Sequence, residues 1–162
     1  MSTVLIVDID GTIAPYVVRG SVRTYRAHLS DICVPEVNTD FLRSLKCDAT
    51  WLTYRSGFIP HSLQTAANIR NEIVLDEFDD KYDVIRKWAP DSGYTKIVWV
   101  DDDYDQGLEI QLVEYLKEQG IELFHSVPDG NLGLTWANRQ EIVEELGEKN
   151  IPISFTQHFR AS

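Results

Sequence analysis

Val4-Leu5-Ile6-Val7-Asp8-Ile9-Asp10-Gly11-Thr12 is the stretch whose reading decides the fold. Its first four residues form a continuous apolar run with a turn signal at Gly11, the pattern of a fully buried strand. Side chains two apart on a strand point the same way, so Asp8 and Asp10 project together where the strand opens into a loop. Two carboxylates that close repel unless a cation or a shared proton relieves them. A hard divalent ion with oxygen ligands, such as Mg²⁺, is the natural relief. Gly11 frees the backbone for a tight turn, and amides turning over an acidic strand end can cradle an anion. Two solvated loop acids are the plainer alternative, against which the four apolar residues ahead of D-x-D-G-T weigh.

Outward from this stretch, short apolar runs alternate with amphipathic ones. Residues 14–34 suggest a β-ribbon flap, carried by Val17-Val18 and by Val22 to Tyr25. Residues 37–46 have helical spacing, with Asn38 or Thr39 as the cap. Ala49 to Tyr54 reads as the second core strand, 61–70 as a helix and Glu72 to Leu75 as the third strand. A helix over 80–89 is followed closely by Pro90, and Ile97 to Val100 is a fourth strand, apolar throughout and so central. Residues 106–119 make an amphipathic helix stopped by Gly120, Ile121 to Phe124 a fifth strand, and Thr135 caps a last helix over 136–147. The alternation predicts an α/β, three-layer Rossmann-like domain: a mostly parallel five-stranded sheet with helices on both faces.

Length and composition agree. The 162 residues suit one domain, 1–162. No apolar run approaches the roughly 20 residues that span a bilayer, and the N-terminus lacks a signal-peptide pattern, so the expected location is cytoplasmic and no membrane partner is expected. Cys33 and Cys47 lack metal-ligand spacing and read as reduced, partly buried thiols. The net charge of −11 excludes strong non-specific nucleic-acid binding. It is uneven, however: residues 1–70 carry 7 Lys/Arg against 6 Asp/Glu, so a local cationic patch is open to this half. Arg19, Arg23, Arg26 and His28, interleaved with Tyr16 and Tyr25, are the best candidates for one, with a solvated ribbon face as the equal alternative.

In open parallel sheets, ligands bind at the carboxyl ends of strands, and the chemically interesting residues fall there repeatedly. Asp8 and Asp10 follow the first strand, Thr53 and Arg55 end the second, and Asp101, Asp102, Asp103 and Asp105 follow the fourth. Lys81 begins the helix that leads into the fourth strand. An acidic ion site flanked by a hydroxyl, a Lys and an Arg suits a phosphoryl group. Asp103 and Asp105 either assist the metal or cap the following helix, and capping is favoured for Asp105. His61, His125 and His158 read as surface or core histidines, and Trp51, Trp88 and Trp99 as core packing.

These residues resemble the haloacid dehalogenase (HAD) superfamily of phosphotransferases, in its small form without a large cap. The family's first motif, h-h-h-D-x-D-G-T, is matched by Val4 through Thr12. Its second, a Thr or Ser ending the next core strand, falls on Thr53. Its third, a Lys ahead of the fourth motif, falls on Lys81, with Lys87 as the alternative. Its fourth, an acidic pair after a hydrophobic strand, falls on Asp101-Asp102. Order and spacing agree over roughly residues 3 to 147. The resemblance implies a phosphatase in which Asp8 attacks phosphorus and forms an aspartyl-phosphate, while Asp10 serves as acid and then base. It implies Mg²⁺ held by Asp8, the Asp10 carbonyl and Asp102, with Asp101 either a direct ligand or behind one, and Thr53 and Lys81 on the phosphate. Arg55, two after Thr53, is similar to the T/S-x-R pattern of HAD polynucleotide 3′-phosphatases, in which the Arg contacts phosphate; an exposed loop arginine is the alternative.

About forty residues separate the first two motifs and under thirty separate Thr53 from Lys81, too few for a cap domain beside a core helix. An open site suits a phosphate on a large molecule or a small one held by the flap. A nucleotide or nucleic-acid phosphate end is therefore the expected substrate. Two other classes compete. A receiver-type signalling domain also gathers acids, Thr and Lys around Mg²⁺, but its phosphorylated Asp follows a middle strand. A catalytically idle phosphate- or metal-binding module on the same core is the second, and the presence of both Asp8 and Asp10 argues against it.

Overall fold

The computed structural model describes residues 2–147. His158 and the remaining C-terminal residues of the expected domain lie outside the described residues. Five strands, β1 (Thr3–Val7), β4 (Asp48–Trp51), β5 (Asn71–Glu72), β6 (Lys96–Val100) and β7 (Glu122–Ser126), form one all-parallel sheet in the order β5-β4-β1-β6-β7. Among the described residues five α-helices accompany it: α1 (Glu36–Ser44), α2 (His61–Ala67), α3 (Lys81–Trp88), α4 (Gln106–Glu118) and α5 (Trp136–Leu146). The architecture is α/β and consistent with a Rossmann-like fold, as the apolar runs predicted. No helix among the described residues is long and apolar enough to cross a membrane.

β1 is the sheet's middle strand, and its alternation explains why four apolar residues stand in a row. Leu5 and Val7 join one apolar cluster with Phe41 and Leu42 of α1, Leu63 of α2 and Ile142 of α5. Val4 and Ile6 join a second with Tyr82 and Ile85 of α3 and Leu112 and Leu116 of α4. Burying each such side chain is worth about 1.5–3 kcal/mol. A strand buried on both sides has no polar alternation to show.

An antiparallel ribbon of β2 (Val22–Tyr25) and β3 (Ile32–Pro35) precedes α1. The expected pairing partner Val17-Val18 is not in it; those side chains are 41% and 51% exposed. Val22 to Tyr25 pairs instead with Ile32 to Pro35, at the end of the 14–34 segment, where Ile32 and Val34 reach the core. Neither Asn38 nor Thr39 caps α1. The strand runs straight into the helix, and Pro35 holds the N-cap position with φ −57°. Asn38 is buried one turn in, where it donates to the Ile13 carbonyl at 3.0 Å and accepts from Arg139 Nη1 at 3.2 Å. Elsewhere the differences are at ends. α2 stops at Ala67 because Asn68 turns left-handed (φ 55°), a conformation Asn tolerates. The second and third core strands are shorter than the apolar runs that mark them. Asp105 and Thr135 do cap α4 and α5, accepting from Leu108 N and Asn138 N.

Candidate functional site

Counting along the chain, the sheet's first and fourth strands, β1 and β6, lie side by side at its centre, and the strand order reverses between them. That is the switch point at which a crevice opens beyond the strands' carboxyl ends in a parallel sheet. Asp8 leaves β1 there, its N–H bonded to the Val100 carbonyl at 3.0 Å. Asp101 leaves β6 beside it, its N–H bonded to Ser126 at 3.2 Å. One oxygen each from Asp8, Asp101 and Asp102 lies within 4.8 Å of the others, an arrangement that could hold a metal ion. The resulting cleft, about 460 Å³, is lined by Asp8, Asp10, Thr53 and Lys81 as well as Asp101 and Asp102, with Tyr16, Tyr54 and Tyr104 around it.

The acids are held by backbone and by one buried cation. Lys81, 2% exposed, starts α3 just after the Asp80 cap and points into the cluster. Its Nζ lies 2.7 Å from Asp101 Oδ2 and 3.2 Å from Asp8 Oδ2. It also sits 5.0 Å from the centre of the Tyr54 ring. Burial alone would pull the Lys81 pKa down, but the Asp8 and Asp101 carboxylates outweigh it and hold it above its usual value. Burial and the Asp101 charge push the Asp8 pKa well above the usual carboxylate value, with Lys81 opposing. Asp102 is raised by the same two causes in the same order. Lys87, the alternative to Lys81, lies on the exposed side of α3 in an i,i+4 pair with Asp83.

With all three carboxylates ionised, the Lys81 ammonium balances one negative charge and two remain uncompensated. A divalent ion with oxygen ligands matches that remainder and that donor set. The packing around Asp102 favours the same chemistry. Gly11, at φ 75°, lets the turn after β1 pass so close to the Asp102 carboxylate that no Cβ fits there. Gly130 approaches the same carboxylate from the loop after β7; a Cβ on it would stand 2.8 Å from Oδ2. Thr12, fully buried, accepts from the Asp102 N–H through Oγ1 at 3.2 Å, which ties the two acidic loops together. A donor set of hard oxygens in a cradle without side-chain bulk fits a hard divalent cation.

Asp10 is in the cleft but outside the three-acid cluster. Its carboxylate is gripped by Arg55, Nε to Oδ2 at 2.7 Å and Nη2 to Oδ1 at 3.1 Å. Thr53 Oγ1 accepts from the Arg55 N–H at 3.2 Å, which leaves the Thr53 hydroxyl proton to point elsewhere. Thus the structure brings Asp8, Asp10, Thr53, Arg55, Lys81, Asp101 and Asp102 to one end of the sheet. The arginine there faces an acid, whereas the family pattern has it facing phosphate. Of the basic stretch, Arg19, Arg23, Arg26 and His28 are exposed, Arg23 packs over the Tyr25 ring, and Tyr25 itself is core.

Of the two expected alternatives, surface or core, His125 is the core one, its side chain 2% exposed. Its ring stacks on Trp99 at 3.9 Å, with Nε2 3.0 Å from the Asp101 carbonyl and Nδ1 2.9 Å from Glu109. It braces the backbone that carries Asp101. Gly130 and His125 were not marked by any motif: one acts through the atoms it lacks, the other through a carbonyl 24 residues away. No protein-family model matches the chain, and neither a curated protein nor a solved structure does.

Proposed function

We propose that this chain is a Mg²⁺-dependent phosphohydrolase of the haloacid dehalogenase type, acting on phosphomonoesters through an aspartyl-phosphate on Asp8. The observation that carries the reading is the convergence of Asp8, Asp101 and Asp102 within 4.8 Å, with Lys81 between two of them. The strand order lends support: the first strand is central here, whereas the flavodoxin-like order of receiver domains places the third strand there. On this reading the fold is a three-layer one and the β2–β3 ribbon is a flap beside an uncapped cleft.

In the reaction, an Asp8 oxygen attacks phosphorus in line while the ester P–O bond breaks. Asp10 gives its proton to the departing oxygen, then takes one from the water that hydrolyses the acyl phosphate. Thr53, through its unused hydroxyl proton, and Lys81, through its cleft-facing edge, hold non-bridging oxygens. Mg²⁺ would be held by Asp8, Asp102 and the Asp10 carbonyl, with Asp101 in reach, and supplies charge stabilisation to the phosphoryl oxygens when bound. The half-exposed rings of Tyr54 and Tyr104 beside the cleft support a nucleotide or a nucleic-acid phosphate end as the ester.

The test is phosphate release from a panel of nucleotides, sugar phosphates and phosphorylated oligonucleotides, with Mg²⁺ and with chelator. Release that needs Mg²⁺ and vanishes in Asp8→Asn is expected. Equal silence of wild type and variant across the panel would remove the enzyme reading in favour of a binding module.

A further inference from the structure

Arg55 stands in the turn that follows β4, and its guanidinium is almost wholly committed. One edge grips Asp10 through the two bonds already described. The other reaches the tip of the β2–β3 ribbon, where Nη1 donates to the Ser30 carbonyl at 2.8 Å and Nη2 to Ser30 Oγ at 2.9 Å. A guanidinium has five N–H groups in a rigid fork, and these four contacts leave it one. It has no second fork to offer a substrate phosphate unless Asp10 or Ser30 is released. The ribbon tip is fastened to the same turn a second time, by His28 stacked on Phe58 with ring centres 5.1 Å apart. Phe58 in turn is bonded through its N–H to the Arg55 carbonyl at 2.8 Å.

Asp10 needs such a hold. Its side chain is 42% exposed, in contrast to the buried Asp8, and a short acid on a turn swings freely unless something fixes it. A two-pronged arginine fixes both the position and the plane of a carboxylate. Each gripped oxygen keeps a second lone pair for the proton to be moved.

We infer that Arg55 is the positioning residue for Asp10, and that Ser30 at the ribbon tip holds Arg55 to that task. The inference rests on the phosphohydrolase reading of the same site. In the step concerned, the Asp8–phosphorus bond forms as the phosphorus–ester oxygen bond breaks. The electron pair leaves on the ester oxygen, and that oxygen takes the Asp10 proton. An alkoxide needs this proton, whereas p-nitrophenolate leaves well without it.

The experiment compares kcat/KM, which reports on this first step, for a nucleoside monophosphate and for p-nitrophenyl phosphate. Arg55→Ala is expected to lose about a hundredfold on the alkyl ester, the scale of general acid catalysis, and about tenfold less than that on the aryl ester. Arg55→Lys keeps the charge but not the fork and shows the same selectivity. Ser30→Ala shows it more weakly. These two variants carry the test should Arg55→Ala fold poorly. In an Asp10→Asn background, Arg55→Ala adds no further loss on the alkyl ester. Equal losses on the two esters, or fully additive losses with Asp10→Asn, overturn the inference alone, since an arginine that holds phosphate gives both. A wild type silent on both esters overturns the phosphohydrolase reading and the inference together.

Discussion

Gly130 presses against Asp102 so closely that a Cβ on Gly130 would lie 2.8 Å from the carboxylate Oδ2 and 2.9 Å from the Tyr16 ring. Its backbone also accepts from the Tyr16 N–H at 2.9 Å, so it cannot retreat without breaking that bond. Gly130→Ala is therefore expected to displace Asp102 and weaken Mg²⁺ binding by about tenfold, the usual cost of disturbing a ligand's support. Titration calorimetry measures it, with urea melts showing an intact fold. Unchanged affinity would mean that Asp102 does not touch the ion.

Asp8→Asn removes the proposed nucleophile while keeping its shape. Loss of at least about a thousandfold in phosphate release is expected, as for other covalent nucleophiles. Quenched-reaction trapping of a phosphorylated protein should succeed with wild type and fail with this variant. A variant that still forms the adduct places the chemistry on another residue.

The same substitution has a pH signature in stability. Burial and then the Asp101 charge raise the Asp8 pKa well above its ordinary 3.8. The native chain thus keeps a proton that the unfolded chain gives up. The stability from this group is fully present below the ordinary value and is lost as pH rises through the raised one. Without divalent ions, Asp8→Asn is expected to gain on wild type in urea midpoint as pH climbs through that window. Mg²⁺ should close the gap by stabilising wild type above it. Parallel curves with pH would show that Asp8 is not titrating in this range.

Lys81→Met takes away the cation that sits between two buried acids, Asp8 and Asp101. Uncompensated buried charge costs about 3–5 kcal/mol, so a matching fall in unfolding free energy is expected near neutral pH. The loss should shrink in acid, where Asp8 carries its proton. A loss of the same size at every pH would point to packing alone.

Much of this was legible because it is local. The run from Val4 to Thr12 announces a strand buried on both sides and an acidic turn, and its neighbours in the fold follow from other apolar runs of the same kind. Asp105 and Thr135 could be read as caps because a cap and its helix are adjacent in sequence. What stayed hidden depends on partners far along the chain. The partner of Arg55 is Asp10, 45 residues earlier, and a T-x-R pattern says nothing about which acid an arginine will meet. Asn38 has the type of a cap residue, yet it serves as a buried bridge between the Ile13 carbonyl and Arg139, 101 residues on. Val17-Val18 has strand propensity but, among the described residues, no strand beside it to pair with, and tertiary pairing decides such short runs.

The parallel pairing of Thr3 with Lys96 carries a consequence for synthesis. The D-x-D segment is made ahead of β6, one of its strand's two neighbours in the sheet, and two of the three acids that would share an ion with it follow β6 in turn. A nascent chain stalled earlier has its first strand exposed along one edge and nowhere to lodge a cation. On the proposed reading, ion uptake would therefore come late in the making of each molecule, and truncated products ending before that strand should bind no better than a disordered peptide.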